Sequence, residues 1–220
     1  MREFIAFSLK AFYNVEKKKE SEAGDMPGLR EVQKAEKKAN LLQAAYTCFL
    51  EKGIHKTSID DIVARANVAK GTFYLYFKDK ASLFDQLCIE VSKRVLRHAY
   101  QKVKEQKLTE YTDIVIGFLD AVIEYFKTHK ATLMLLEKNF SWPLIEQNLQ
   151  TSENEDLQDI RETLLKNPYH PEEEEQAFQY LFSIVALCGS VGYSSIIRGE
   201  PDTIDHMKPI LYTMIRRILR

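Results

Sequence analysis

The sequence predicts an all-α fold of about nine helices, and three observations carry this prediction. Apolar residues recur at spacings of three and four along most of the chain, which is the periodicity of helices packed on one side. Capping side chains precede several of these segments, and glycine or proline follows them. Alternation of apolar and polar residues, the pattern of a half-buried strand, never extends over a useful length. A chain of 220 residues is long enough for a buried core in one or two domains.

Two short helices joined by a tight turn follow the first predicted helix, which spans residues 31–52. Thr57 or Ser58 can cap the first of them, because a hydroxyl accepts hydrogen bonds from the free amides of an opening turn. Asn67 tolerates the left-handed backbone that a tight turn needs. The second short helix is predicted over residues 70–76. Such a pair is a helix-turn-helix, whose second helix can enter the major groove of DNA.

The residues of this region make a specific motif. In order they are Leu41-Leu42-x-Ala44-Ala45-x-x-Cys48-Phe49-x-x-x-Gly53, Thr57-Ser58-x-x-x-Ile62 and Val68-x-Lys70-Gly71-Thr72-Phe73-Tyr74-x-Tyr76-Phe77-x-x-Lys80-x-x-Leu83. This motif resembles the DNA-binding domain of the TetR (tetracycline-repressor-like) family over about fifty residues without a gap. Three positions depart from the family pattern: Asn67 replaces a usual glycine, Val63 a usual alanine and Ala69 a usual capping serine. The last change should weaken the start of the second helix by about 1 kcal/mol.

The resemblance implies a homodimeric transcriptional regulator, usually a repressor, that leaves a palindromic double-stranded DNA operator when a small molecule binds. It also implies DNA contacts from one set of side chains: Thr57, Ser58, Lys70, Gly71, Thr72, Tyr74, Tyr76 and Lys80. Hydroxyls and ammonium groups of this kind bind phosphates and base edges. A structural interpretation stays open, in which Tyr74 and Tyr76 pack in the core and Lys80 is an ordinary surface charge.

The implied domain organisation has three parts: an N-terminal extension over residues 1–30, a helix-turn-helix head over 31–80 and a ligand-binding and dimerisation domain over 81–220. Further helices are predicted over residues 80–106, 109–129, 131–140, 141–166 with a break at 151–156, 172–198 and 202–219, and Thr109 is the predicted cap of the second of these. The candidate ligand pocket consists of aromatic residues: Phe118, Tyr125, Phe140, Trp142 and Tyr180. For each of them, packing in the hydrophobic core is the favoured interpretation, and the pocket is the alternative. The candidate dimer interface lies on the last two helices: Phe182, Val185, Gly189, Gly192, Tyr193, Ile196, Leu211, Met214 and Ile218.

Residues 1–30 fit the helical pattern poorly. The run 17–25 is polar and aperiodic, which favours a disordered arm. A basic arm that enters a minor groove is disfavoured, because acidic residues cancel its charge. Codons for lysine, glutamate and glycine are purine-rich and stand directly before Met26. This run could therefore be a translated ribosome-binding site, with Met26 the natural start.

Charge and cysteine usage narrow the class of protein. Residues 27–80 hold ten lysines and arginines against six acidic residues, whereas residues 81–220 hold 16 against 21. A basic head on an acidic remainder suits a protein that binds DNA through the head. The three cysteines lack metal-ligand spacing and are expected to be buried thiols in a cytoplasmic protein, with no metal and no cofactor. Without an uninterrupted run of 18 apolar residues, no membrane partner is expected.

The sequence disfavours two other classes of function. An all-α enzyme is disfavoured because the five histidines are isolated and no Ser/His/Asp or Cys/His set is evident. A protein-interaction module that has lost DNA binding is disfavoured by the intact motif residues Lys70, Tyr74, Tyr76 and Lys80.

Overall fold

The computed structural model describes residues 29–137, 155–165 and 174–219. Within them the chain forms nine α-helices and no strand: α1 Leu29–Lys52, α2 Ile59–Ala66, α3 Lys70–Tyr74, α4 Lys80–Gln106, α5 Tyr111–Thr128, α6 Lys130–Glu137, α7 Glu155–Leu165, α8 Glu174–Tyr193 and α9 Ile204–Ile218. A π-helical turn, Ser194–Arg198, extends α8. The predicted all-α fold is confirmed. The predicted helix start at Ser141 lies outside the described residues. The predicted extension over residues 1–30 also lies outside them, except for residues 29 and 30.

The described residues form two compact units, which divide between Leu87 and Cys88 inside α4. In the first, here called the head unit, α2 packs against α1 and α3 packs against α2. The interior is apolar, with these side chains almost fully buried: Leu41, Ala45, Tyr46, Phe49, Ile62, Phe73 and Leu83. Phe49 of α1 meets Phe84 of α4 edge to face, with ring centroids 5.6 Å apart. The short helices therefore hold their positions through tertiary packing, since helices of five and eight residues are unstable alone.

Two predicted helix boundaries are wrong, for local reasons. Helix α3 ends at Tyr74 instead of Tyr76, because the amides of Tyr76 and Phe77 both bond to the Phe73 carbonyl and tighten the turn. Helix α5 begins at Tyr111 after Glu110, with no side-chain cap, so Thr109 does not cap it. By contrast, α4 begins at the predicted position.

The second unit, here called the body unit, has one hydrophobic core to which α5, α8 and α9 all contribute. Polar contacts join one side of α9 to α5. Lys208 lies 2.6 Å from Asp120, the Arg216 guanidinium lies 2.8 Å from Asp113, and the Tyr212 hydroxyl donates to Asp120. Burial, followed by the Asp120 contact, raises the pKa of Tyr212. These contacts fix the rotation of α9, which leaves Ile210 and Met214 exposed.

Helix α8 is rich in apolar residues. Its stretch Gln179–Arg198 is long and apolar enough to cross a membrane by length and composition, the single such stretch in the part of the chain that the structure describes. The core helix of a globular domain meets the same criterion. The sequence criterion of an uninterrupted apolar run did not reveal it. All three cysteines are buried thiols, as predicted.

Candidate nucleic-acid interface and body cavity

The start of α2 is held by a reciprocal pair of hydrogen bonds. The Ser58 hydroxyl accepts from the Asp61 amide at 3.1 Å, and the Ser58 amide donates to the Asp61 carboxylate at 2.9 Å. This is a capping box, so Ser58 rather than Thr57 is the cap. Hydrogen bonds from Lys52 and then from Ser58 lower the pKa of Asp61. Ser58 is exposed and can also face a phosphate.

Thr57 has a different role from the one predicted. Its side chain is 1% exposed, and its hydroxyl lies 2.8 Å from the Gly53 carbonyl, to which it donates. A buried hydroxyl that is already bonded cannot reach a phosphate. The predicted DNA contact at Thr57 is therefore wrong, because a backbone carbonyl at the end of α1 takes its proton.

We expect Thr57→Val to lower the free energy of unfolding by about 1–2 kcal/mol, because the Gly53 carbonyl loses its partner while the side-chain volume is kept. Urea denaturation measures this loss. Thr213→Val is the matched control, since the Thr213 hydroxyl also bonds a carbonyl four residues earlier but is exposed. It should change stability by less than about 0.5 kcal/mol. Equal stability of all three proteins would contradict a structural role for Thr57.

The turn between α2 and α3 has the predicted geometry. Asn67 adopts the left-handed conformation, with φ 54° and ψ 47°, and its amide bonds back to Ala64. Ala69 precedes α3 without a side-chain cap, as its methyl group dictates. The buried Phe73 and Phe77 hold α3 in place. These residues give α3 one inward face and leave the other face to solvent.

The outward face of α3 carries most of the predicted DNA contacts. Lys70, Gly71 and Tyr74 are exposed, and Thr72 and Tyr76 are half-buried. The Tyr74 ring rests edge-on against Phe73, with 53% of the residue exposed. Packing therefore positions the Tyr74 ring while much of the residue stays in contact with solvent, which suits a hydroxyl that donates to a phosphate.

Lys70 and Lys80 are held in different ways. The Lys70 ammonium lies 2.9 Å from Asp60 in a solvent-exposed pair, which raises the pKa of Lys70. Exposed pairs contribute about 0–1 kcal/mol, so a phosphate can replace Asp60 at little cost. The Lys80 ammonium donates to the carbonyls of Ile54 and Thr57, both at 2.8 Å. Lys80 is thus more than an ordinary surface charge, and its third proton is still available for a phosphate.

A cavity of about 810 Å³ lies in the body unit, between α5, α6 and α8 with its π-helical turn. Its lining is mainly apolar: Leu119, Val122, Ile123, Phe126, Leu133, Leu136, Phe182, Val185, Ala186, Cys188, Gly189, Ser190, Gly192, Tyr193, Ser194, Ile196 and Arg198. Arg198 supplies one positive charge, and the described lining holds no aspartate or glutamate. Burial raises the pKa of Cys188 to about 11, so this thiol is neutral. The volume and lining are typical of a site for a small molecule with an apolar part.

The three predicted pocket aromatics that lie in the described residues, Phe118, Tyr125 and Tyr180, do not line this cavity. Phe118 is buried in the hydrophobic core, and the Tyr125 ring stacks on His129 with centroids 4.1 Å apart. Tyr180 is not in the lining, and Phe140 and Trp142 lie outside the described residues. The cavity instead uses aromatic residues that were overlooked or assigned elsewhere: Phe126, Phe182 and Tyr193. The spacing of apolar residues predicts which face of a helix is buried, but it does not predict which buried residues line the cavity.

The predicted dimer residues have three kinds of surroundings, and Phe182 and Ile196 each belong to two of them. Leu211 and Ile196 belong to the body core, so their assignment to an interface is wrong. Six residues on the α8 segment line the cavity, namely Phe182, Val185, Gly189, Gly192, Tyr193 and Ile196. Phe182 and Met214 are 44% and 43% exposed, and Ile218 is half-buried. The last three are therefore accessible to a second chain.

Comparison with known proteins shows which family the helix-turn-helix region resembles. The family model described as bacterial regulatory proteins, tetR family, matches residues 41–87, which run from α1 through the helix-turn-helix into α4. Residues 41–87 are therefore similar to the DNA-binding domain of the TetR family. The match covers the head unit, where the motif residues have the helix-turn-helix geometry described above.

Known transcriptional regulators extend this likeness. The uncharacterized HTH-type transcriptional regulator YhgD of Bacillus subtilis (strain 168) is 31% identical over 104 residues, which cover 47% of this chain and about half, 53%, of YhgD. A TetR transcriptional regulator from Rhodococcus sp. RHA1 superposes with a TM-score of 0.57 at 18% identity, over 85% of this chain and 97% of that one. FadR of Bacillus subtilis, solved in complex with stearoyl-CoA, gives a TM-score of 0.53 at 14% identity, over 80% and 96% of the two chains. These structures share the fold.

Proposed function

We propose that this protein is a homodimeric transcriptional repressor of the TetR family that binds a palindromic DNA operator and leaves it when a small molecule binds the body unit. The observation that carries the proposal is the outward face of α3, in a head that matches a family of bacterial regulatory proteins. Buried Phe73 and Phe77 orient that face, and Lys70, Thr72 and Tyr74 provide donors for phosphates and base edges.

The operator sequence can be identified by incubating the purified protein with random DNA duplexes and selecting those that it binds. Tyr74→Phe should then weaken operator binding about tenfold, because one hydroxyl bond to a charged phosphate is lost. The far-ultraviolet circular dichroism should stay unchanged, since Phe73 still supports the ring. Tyr180→Phe, a half-buried tyrosine of the body unit, is the control and should bind like the wild type. Equal affinities for the Tyr74 and Tyr180 variants would remove Tyr74 from the DNA contact.

The proposal of a homodimer rests on apolar surface that the described core does not cover. Helix α9 is joined to α5 by ion pairs on one side and packed into the core by Leu211 and Ile215. Its remaining apolar side, with Ile210 and Met214, is exposed, and Phe182 is exposed on α8. Apolar surface on two late helices is suited to a two-fold interface, in which each chain offers the same patch. A two-fold dimer would place its recognition helices about 34–36 Å apart to read a palindrome.

The ligand class is proposed from the cavity. FadR is solved with stearoyl-CoA, but its likeness to this chain is one of fold, so it does not identify the ligand here. The described lining combines an apolar wall with the single cation Arg198. An amphipathic molecule with an apolar chain and an anionic group satisfies both parts of this lining. Because α8 lines the cavity and also carries exposed Phe182, a bound ligand would act on a helix of the proposed interface.

A further inference from the structure

Leu75 is the most exposed large apolar residue in the described ranges, at 77%. A single exposed leucine needs no explanation by itself. Leu75 however directly follows α3, the helix whose outward face is proposed to meet DNA, as its C-terminal cap residue, and its backbone keeps helical angles, with φ −72° and ψ −22°. The neighbouring side chains Tyr74 and Thr72 carry hydroxyls. Leu75 is thus an apolar point on an otherwise polar surface.

Gly71 provides an independent observation. A Cβ atom built at Gly71 would meet nothing within 4 Å, and the backbone is not left-handed, so neither packing nor conformation of this chain requires glycine. Glycine nevertheless destabilises a helix relative to alanine. Residues 71 and 75 are one helical turn apart and share a face. No side-chain atom, including those of Leu75, lies within 4 Å of a Cβ built at Gly71, so an open recess remains on the face that Leu75 shares.

We propose that Gly71 and Leu75 form an apolar reading contact, in which the missing side chain at 71 lets α3 approach the major groove and Leu75 packs on a thymine methyl group. This inference rests on the proposed DNA binding. The thymine C5-methyl is the apolar feature of the major groove, and aliphatic side chains recognise it by contact. Leu75 would therefore specify one thymine in each half-site, while Lys70 and Tyr74 hold the register on the phosphates.

Thymine-to-uracil substitution in the selected operator tests the contact, because uracil lacks only the methyl group. At one symmetric position, uracil should weaken wild-type binding about threefold to fivefold, the loss expected from one exposed methyl group. Leu75→Ala should bind the thymine and uracil operators equally, so the two changes are non-additive in a double-mutant cycle. Thymine effects that persist unchanged in Leu75→Ala would overturn the contact and leave the proposed function intact. Failure to enrich any duplex from random DNA would overturn both.

Gly71→Ala provides a second test, because it should increase stability and decrease operator affinity. Alanine should raise the midpoint of urea denaturation, because it favours the helix and meets no neighbouring atom. It should also lower operator affinity at least tenfold, because its methyl group would stand between α3 and the groove. A stabilised protein that binds the operator as tightly as the wild type would overturn the close approach at Gly71. We expect Gly71→Ala to fold. The double-mutant cycle of Leu75→Ala with thymine-to-uracil substitution tests the thymine contact without using the Gly71 variant.

Discussion

Replacing Phe182 and Met214 together by glutamate should convert the protein from a dimer to a monomer and lower its operator affinity by at least about 100-fold. Both side chains are more than two-fifths exposed, so the change should leave the fold of each chain intact. Four carboxylates buried about the two-fold axis of the proposed interface would lack partners and repel one another. Loss of the dimer removes the gain from holding two half-sites at once, which amounts to about 100-fold to 10,000-fold.

Sedimentation measures the assembly, and fluorescence anisotropy with labelled operator measures the affinity. Met134→Glu is the matched control, since Met134 on α6 is exposed to a similar extent and lies outside the predicted interface. It should stay dimeric and bind normally. A double variant that remains a dimer would place the interface elsewhere on the chain. A wild-type protein that is monomeric even on its operator would remove the homodimer from the proposed function.

A ligand of the cavity and the operator should each weaken the binding of the other by the same factor, which we expect to be about 100-fold. That factor corresponds to a coupling free energy of about 2.7 kcal/mol, within the usual range for allosteric proteins. Long-chain carboxylates and neutral long-chain alcohols are the probes to compare by thermal shift. The carboxylates should stabilise the protein more, because Arg198 faces the cavity as its cation.

Titration of the best probe with and without operator then measures the coupling. Arg198→Gln should weaken carboxylate binding about tenfold, and the alcohols should be unaffected. Arg217→Gln is the control, since Arg217 is exposed on α9 and absent from the lining of the cavity. Equal probe affinity with and without operator would refute release by a ligand at this site. Equal loss in both arginine variants would refute the role of Arg198.

Local chemistry made the helices of the head unit predictable. The conformation of Asn67 and the start of α4 follow from the residues at those points, so sequence reasoning placed them correctly. Thr57 and Ser58 show the limit of prediction from the local sequence. Either hydroxyl could cap α2, and the choice depends on the Gly53 carbonyl, which α1 brings to Thr57. The burial of Thr57 is a tertiary property that the local sequence does not encode.

The body unit shows the same limit at larger scale. Phe118, Tyr125 and Phe126 all lie within α5, and spacing alone assigns each of them to some buried contact. Phe118 packs in the core, Tyr125 stacks on His129 and Phe126 lines the cavity. Which neighbour each one meets depends on helices far away in sequence. Leu75 was overlooked for the opposite reason, because its exposure is visible only once Phe73 and Phe77 are known to occupy the inner face.

The hydrogen bonds of Thr57 and Lys80 have a mechanical consequence for the head unit. Thr57 ties the loop before α2 to Gly53 at the end of α1, and Lys80 ties the first turn of α4 to Ile54 and Thr57 of the same loop. These hydrogen bonds link the end of α1, the loop before α2 and the start of α4 to one another, so the three segments are held rigidly together. A displacement of the first turn of α4 must carry the loop with it. In the proposed response to a ligand, a movement of α4 would consequently displace the head unit as one rigid piece, with α2 and α3 still folded.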